Sequence, residues 1–153
     1  GRSDALRRQL REINPRAEIT ECRHRSCFFK EVETGARLEL AAIAGRPVVV
    51  LSGIAVPSGF ENSVRGMGAR VLACKRFVDH HRYRRQEILD VIDQAAGLGA
   101  EMILTTEKDA VRLPRIENAK VPLYYLRMDI QILQGYDNFR ECVDRICFNE
   151  SPK

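Results

Sequence analysis

The sequence predicts an α/β domain, a mostly parallel sheet with helices on both faces in three layers. Three observations carry that expectation. Val48-Val49-Val50-Leu51 is an unbroken, largely β-branched apolar run, the pattern of a strand buried on both faces. Strand-like and helix-like segments then alternate with short connections as far as Leu126, as βαβ units do. The helix-like stretch around Ile88, Val91, Ile92 and Ala95 places those apolar residues on one face, ready to cover a sheet.

The elements follow in order. Ser3 or Asp4 caps an opening helix in which Leu6, Leu10 and Ile13 recur at helical spacing, and Asn14-Pro15 ends it. Residues 17–22 read as a short strand, 23–35 as an irregular stretch holding Phe28-Phe29, and 37–40 as another short strand. After the run at 48–51, a turn at 53–57 leads into a helix at 58–67 closed by Gly66 and Gly68. A strand at 71–74 precedes a polar loop, 79–83, and a helix at 84–98 that Gly97 and Gly99 terminate. The strand at 102–104 passes through Thr105-Thr106 into a short helix reaching Leu113. A last strand at 121–126 and a helix at 136–148 complete the pattern. The natural division falls near Ala44-Gly45: residues 1–44 read as a segment leading in from another domain, and 45–153 as the α/β domain itself.

Composition excludes several classes. A chain of 153 residues suits one domain with a real core. No apolar run approaches the roughly 20 residues of a membrane span, and Gly1-Arg2-Ser3-Asp4 lacks the apolar centre of a secretory signal, so a soluble chain is expected. Five cysteines, an odd number without a CxxC pair, point to a reducing compartment rather than a disulfide framework. Cys22-x-His24-x-x-Cys27 has no second cluster to complete a metal site, so none is expected. A net charge of +4 is modest for a nucleic-acid binder, and basic residues are not interleaved with aromatics.

Ligands of open parallel sheets bind beyond the carboxyl ends of the strands. Three loops meet that condition: 52–59, 77–83 and 105–109. The first has glycines at a strand-to-helix turn, where backbone N–H groups can cradle an anion or simply allow a tight turn. Neither GxxxxGK[ST] nor GxGxxG occurs anywhere in the chain. The second holds Asp79-His80-His81, groups that titrate near neutrality beside a carboxylate able to orient an imidazole. Arg76 and Arg82 bracket it, which suits a phosphate or anionic headgroup. In the third, Thr106 caps the following helix and Asp109 reaches back to complete a capping box. Lys108 sits in the first turn against the helix dipole, a placement that an anionic partner would explain.

In order, Leu51-Ser52-Gly53-Ile54, the stretch 57–60, Phe77 to His81 with Tyr83, and the TTEKDAVRL run at 105–113 resemble the C-terminal lobe of the tetraacyldisaccharide 4′-kinase (lipid A 4′-kinase) family. The resemblance is densest from about Val48 to Val121. It implies a Rossmann-like C-terminal lobe of an enzyme that uses ATP and magnesium to phosphorylate the 4′ hydroxyl of a lipid disaccharide 1-phosphate, at the cytoplasmic face of the inner membrane. The family's P-loop, magnesium ligands and membrane anchor precede the region that this chain matches, so the chain alone is expected to be inactive. The resemblance further implies that His80 pairs with an aspartate base in the nucleotide-binding part, that Asp79 orients it, and that His81 is the lesser participant. Lys108, Thr106 and Arg82 are the expected substrate contacts; no metal ligand and no nucleic-acid partner is expected. Where the family usually has Gly-Asn after the isoleucine, this chain has Ala55-Val56; where it has prolines around the Asp-His-His triplet, Val78 and Arg82 stand.

Two rival readings have distinct signatures. A metal-dependent phosphoesterase named for the Asp-His-His triplet needs further strand-end aspartates, and no upstream DxD is present. A stand-alone anion- or nucleic-acid-binding module would show salt-sensitive binding that ignores His80.

Overall fold

The computed structural model describes residues 2–148. Its elements run α1 (Arg2–Ile13), β1 (Glu21–Glu31), β2 (Arg37–Leu38), a 3₁₀ turn (Leu40–Ile43), β3 (Pro47–Ser52), α2 (Pro57–Gly66), β4 (Arg70–Arg76), α3 (Arg85–Gly97), β5 (Met102–Thr106), α4 (Glu107–Ala110), β6 (Leu123–Gln134) and α5 (Tyr136–Phe148). The six strands form one sheet in the order β2-β1-β6-β5-β3-β4. β3 pairs in parallel with β4 and β5, and β5 with β6, while β1 and β2 are antiparallel. The expected α/β architecture, a mostly parallel sheet clad by helices, is what the chain adopts.

Contacts group the chain into two compact units. Residues up to Arg25, together with those from Ile130 onward, make one; Ser26–Asp129 make the other. In the first, α1 is tied down by Arg7, whose guanidinium meets Glu21 and Gln134. No described helix in either unit is long and apolar enough to cross a membrane.

The larger unit shows why the run at 48–51 reads as a central strand. Successive strand residues point to opposite faces. Val49 and Leu51 therefore join Ile88, Val91, Ile92 and Ala95 of α3 in one apolar cluster. Val48 and Val50 join Phe60 and Val64 of α2, with Phe29 and Ile43, in the other. Every residue of β3 is buried. With both faces covered, β3 is held in place and its carboxyl end becomes a rigid platform.

Four elements differ from expectation. The strand expected at 17–22 begins only at Glu21, leaving 17–20 outside it. Residues 23–31, expected to be irregular, belong to β1, because Phe29 and Lys30 pair with Leu38 and Arg37 and Phe29 is fully buried. Residues 22–25 are all exposed, so no alternation of burial marks that strand in the sequence. β6 runs to Gln134, eight residues past the expected end at Leu126. The alternation of Met128, Ile130 and Ile132 with polar residues was the available signal. The helix expected to reach Leu113 is a single turn, α4; tighter three-residue bonds follow it, Arg112 to Asp109 and Leu113 to Ala110. Pro114 disfavours helix at the residue before it.

Candidate functional site

The carboxyl ends of β3, β4 and β5 bring the three loops to one edge of the sheet. Main-chain bonds lace them together. Phe77 donates to the Ser52 carbonyl at 2.8 Å and His80 to the Gly53 carbonyl at 3.2 Å. The loop after β4 is thereby pulled over the end of β3.

Beneath them lies a buried polar hub that the sequence reading took for a helix cap alone. Asp109 is fully buried. One carboxylate oxygen accepts the Tyr83 hydroxyl at 2.9 Å and an Arg112 amino group at 2.8 Å. The other accepts the Gly53 N–H at 3.1 Å and the Thr106 hydroxyl at 2.7 Å. Thr106 does cap α4, taking the Asp109 N–H at 3.1 Å. The return arm differs from the expected capping box: Asp109 spends its carboxylate on the Thr106 hydroxyl and on residues of the other two loops. Burial and the neighbouring Asp109 charge push the Tyr83 hydroxyl well above its usual range, so it remains a donor.

Gly53 is required by space rather than by backbone angle. A methyl group there would lie 2.6 Å from the Tyr83 hydroxyl oxygen and 3.2 Å from an Asp109 carboxylate oxygen. The glycine lets strand end, tyrosine and aspartate close on one another.

Above the hub opens a cleft of about 350 Å³. Asp79, His80, Lys108 and Arg112 line it, with Ile54, Ala55 and Val111 supplying apolar wall. The structure thus gathers Asp79, His80 and Lys108, and adds Arg112, which sequence reasoning missed. The His80 side chain is 87% exposed. Its backbone has φ of +58°, a left-handed conformation that histidine adopts more readily than most residues. Asp79 fixes this backbone, accepting the His80 N–H at 3.0 Å. Between Asp79 and the His80 ring the distance is 3.8 Å, beyond a hydrogen bond, so the carboxylate holds the turn and not the imidazole.

The remaining expected residues lie elsewhere. His81 turns inward, stacking on Phe77 with ring centroids 4.7 Å apart and meeting Tyr83 edge-on at 5.1 Å. Its Nε2 lies 3.0 Å from Glu87, whose carboxylate also accepts the Arg84 N–H at 2.8 Å. Those two contacts, the backbone one foremost, hold the Glu87 carboxyl below its usual range. Thr106 is committed to the hub, and Arg82 is exposed outside the cleft lining. Among the described residues no group of three or more His, Cys, Asp or Glu side chains is gathered to hold a metal.

A sequence model of the tetraacyldisaccharide-1-P 4′-kinase family matches residues 2–147. The tetraacyldisaccharide 4′-kinase of Anaeromyxobacter sp. (strain K) is 36% identical over 145 residues, covering 94% of this chain and 38% of that protein. Its namesake in Rhodospirillum rubrum is 36% identical over 114 residues, 74% of this chain and 33% of that protein. Among solved structures, LpxK from Aquifex aeolicus, crystallised in complex with ATP, superimposes with a TM-score of 0.56 at 18% identity. That match spans 90% of this chain and 41% of the other, and shows a shared fold. The chain therefore spans well under half the length of the relatives it matches. A family match over nearly every residue, on a sheet whose loops converge as described, leaves one conclusion: the chain belongs to the tetraacyldisaccharide 4′-kinase family.

Proposed function

We propose that this chain is the C-terminal part of a lipid A 4′-kinase, which moves the γ-phosphate of ATP onto the 4′ hydroxyl of tetraacyldisaccharide 1-phosphate. The observation that carries this reading is the cleft at the strand ends, where the exposed His80 ring stands beside Asp79 and Lys108. The new O–P bond forms as the bond to ADP breaks, and the hydroxyl proton must leave. His80 stabilises the group that takes it, an acidic base supplied by the rest of the longer protein. Its outward ring suits a partner arriving from another domain. Asp79 holds the turn that presents the ring, His81 anchors the loop from below, and Lys108 meets the anionic lipid.

A P-loop does not fit the residues of this chain, nor does a magnesium site fit the described ones. The chain has no GxxxxGK[ST] stretch, and no metal-ligand cluster is present among the described residues. Those functions belong to the rest of the longer protein. The reaction then takes place at the cytoplasmic face of the inner membrane, and this chain by itself is inert. Completion of the site by closure of two lobes would limit wasteful ATP hydrolysis in the open state.

Transfer of radiolabelled phosphate to the lipid disaccharide, measured with the intact protein, tests the reading. His80→Ala should lower turnover by roughly 10²-fold, typical of an acid-base participant. Wild-type turnover in that variant, or kinase activity from residues 1–153 alone, would reject it.

A further inference from the structure

The cleft beside His80 has a second wall that the proposed proton chemistry does not use, built from Lys108, Val111 and Arg112. Arg112 is strongly anchored. Its Nε donates to the Lys108 carbonyl at 3.0 Å, and Nη2 donates to Asp109 at 2.8 Å and to the Gly53 carbonyl at 3.3 Å. Nη1, its other amino group, is buried and makes no hydrogen bond. A dry, unbonded donor on a cationic group is costly to maintain. The side chain as a whole is 24% exposed and borders the cleft. Ile54, half-buried against the core, and the exposed Ala55 also line the cleft.

The geometry points to a phosphate subsite, in which Arg112 Nη1 and Lys108 Nζ together hold a phosphate group next to His80. This rests on the kinase reading and deepens it by naming which part of the substrate the cleft receives. A phosphate offers several oxygens in different directions, which suits one edge of a fixed guanidinium and one mobile ammonium. A carboxylate gripped by two donors would need a free edge, and Nε and Nη2 are already committed to the Lys108 carbonyl and to Asp109. Burial of the Arg112 contacts aims the fork in advance, while exposed Lys108 supplies charge at the mouth. The phosphate could belong to a nucleotide or to a phosphorylated sugar headgroup, which present the same chemistry here.

Titration of the full 153-residue chain with inorganic phosphate, followed by proton–nitrogen correlation spectra, reads this directly. Saturable shifts confined to the cleft residues Ala55, His80, Lys108, Val111 and Arg112 are expected. Arg112→Lys keeps the charge but loses the fork, and should weaken them by about tenfold, 1.4 kcal/mol. Lys108→Ala alters an exposed side chain, keeps the spectrum folded and should also weaken them. Shifts scattered over the arginines of α1, or unchanged in both variants, overturn the subsite. Repeating the titration with ADP and with glucosamine 6-phosphate separates the two sources by which binds tighter. In either case binding of the preferred probe must weaken in Arg112→Lys, and unchanged binding there counts against the proposal. Because binding to this chain is measured without turnover, the two readings fail separately. Confined phosphate shifts with wild-type turnover in His80→Ala would reject the role of His80 and leave the subsite standing.

Discussion

The buried carboxylate of Asp109 accepts the backbone N–H of Gly53 at 3.1 Å, and the carbonyl of that glycine accepts the N–H of His80 at 3.2 Å. One peptide segment at the end of β3 thus links the helix-capping aspartate to the exposed histidine. The hub sets the position of the loop, and the loop presents the ring.

Asp109→Ala should destabilise the chain by about 3–5 kcal/mol, because it strands Arg112 as a partly buried, unpaired cation. Thr106→Ala removes one cap bond and should cost about 1 kcal/mol. Chemical denaturation of both variants checks the ordering. Equal losses would mean that Asp109 serves only the cap.

Gly53→Ala forces a methyl group to within 2.6 Å of the Tyr83 hydroxyl and should cost about 1–3 kcal/mol by overpacking. Tyr83→Phe removes both the obstructing oxygen and its bond to Asp109, at about 1 kcal/mol alone. Combined, the two should cost less than their sum by at least about 0.5 kcal/mol. Strict additivity in a double-mutant cycle would show that the crowding is relieved by other shifts.

How legible this arrangement was in the sequence depended on the range of the interactions. The run at 48–51 identified β3 because burial on both faces leaves its mark in consecutive residues. Asp79, His80 and Lys108 could be placed together because strand ends converge on one edge. The hub could not be read in the same way. Thr106 and Asp109 spell a local cap, and nothing in that spelling reveals that Asp109 also bonds Tyr83, 26 positions away, and Gly53, 56 away. His80 and His81 are likewise indistinguishable as letters. A left-handed residue at 80 sends one ring outward while Phe77 and Glu87 hold the other. β1 escaped notice because strand pairing, not a patterned face, orders its charged residues.

Acid should weaken the fold partly through Glu61, a buried carboxylate that Arg76 grips at 2.7 and 2.9 Å. Hydrogen bonding to Arg76, the largest cause, holds its carboxyl below the ordinary value of 4.5. A carboxyl depressed on folding contributes stability that is present above the unfolded value and is lost as pH falls through the folded one. Thermal melts of wild type should therefore decline below about pH 4.5, and Glu61→Gln should be less stable at neutrality with a shallower acid decline. An acid limb as steep in Glu61→Gln as in wild type would assign the loss to other carboxylates.

Lys108→Ala should raise KM for the lipid substrate of the intact protein with little change in kcat, as loss of a uniform binding contact does. Thr106→Ala, whose hydroxyl is committed to the hub, should move stability more than KM. Steady-state kinetics alongside melting curves separate the two. A larger KM effect from Thr106→Ala would reassign the substrate contact.

The most direct test sets His80→Asn beside His81→Asn in the intact protein, measuring single-turnover phosphate transfer and melting temperature together. Asparagine tolerates the left-handed backbone at position 80, so His80→Asn should melt like wild type while transfer falls by roughly 10²-fold. His81→Asn should lower the melting temperature and slow transfer far less. Normal transfer in His80→Asn, or the larger chemical loss in His81→Asn, would contradict the assignment of His80 as the catalytic histidine.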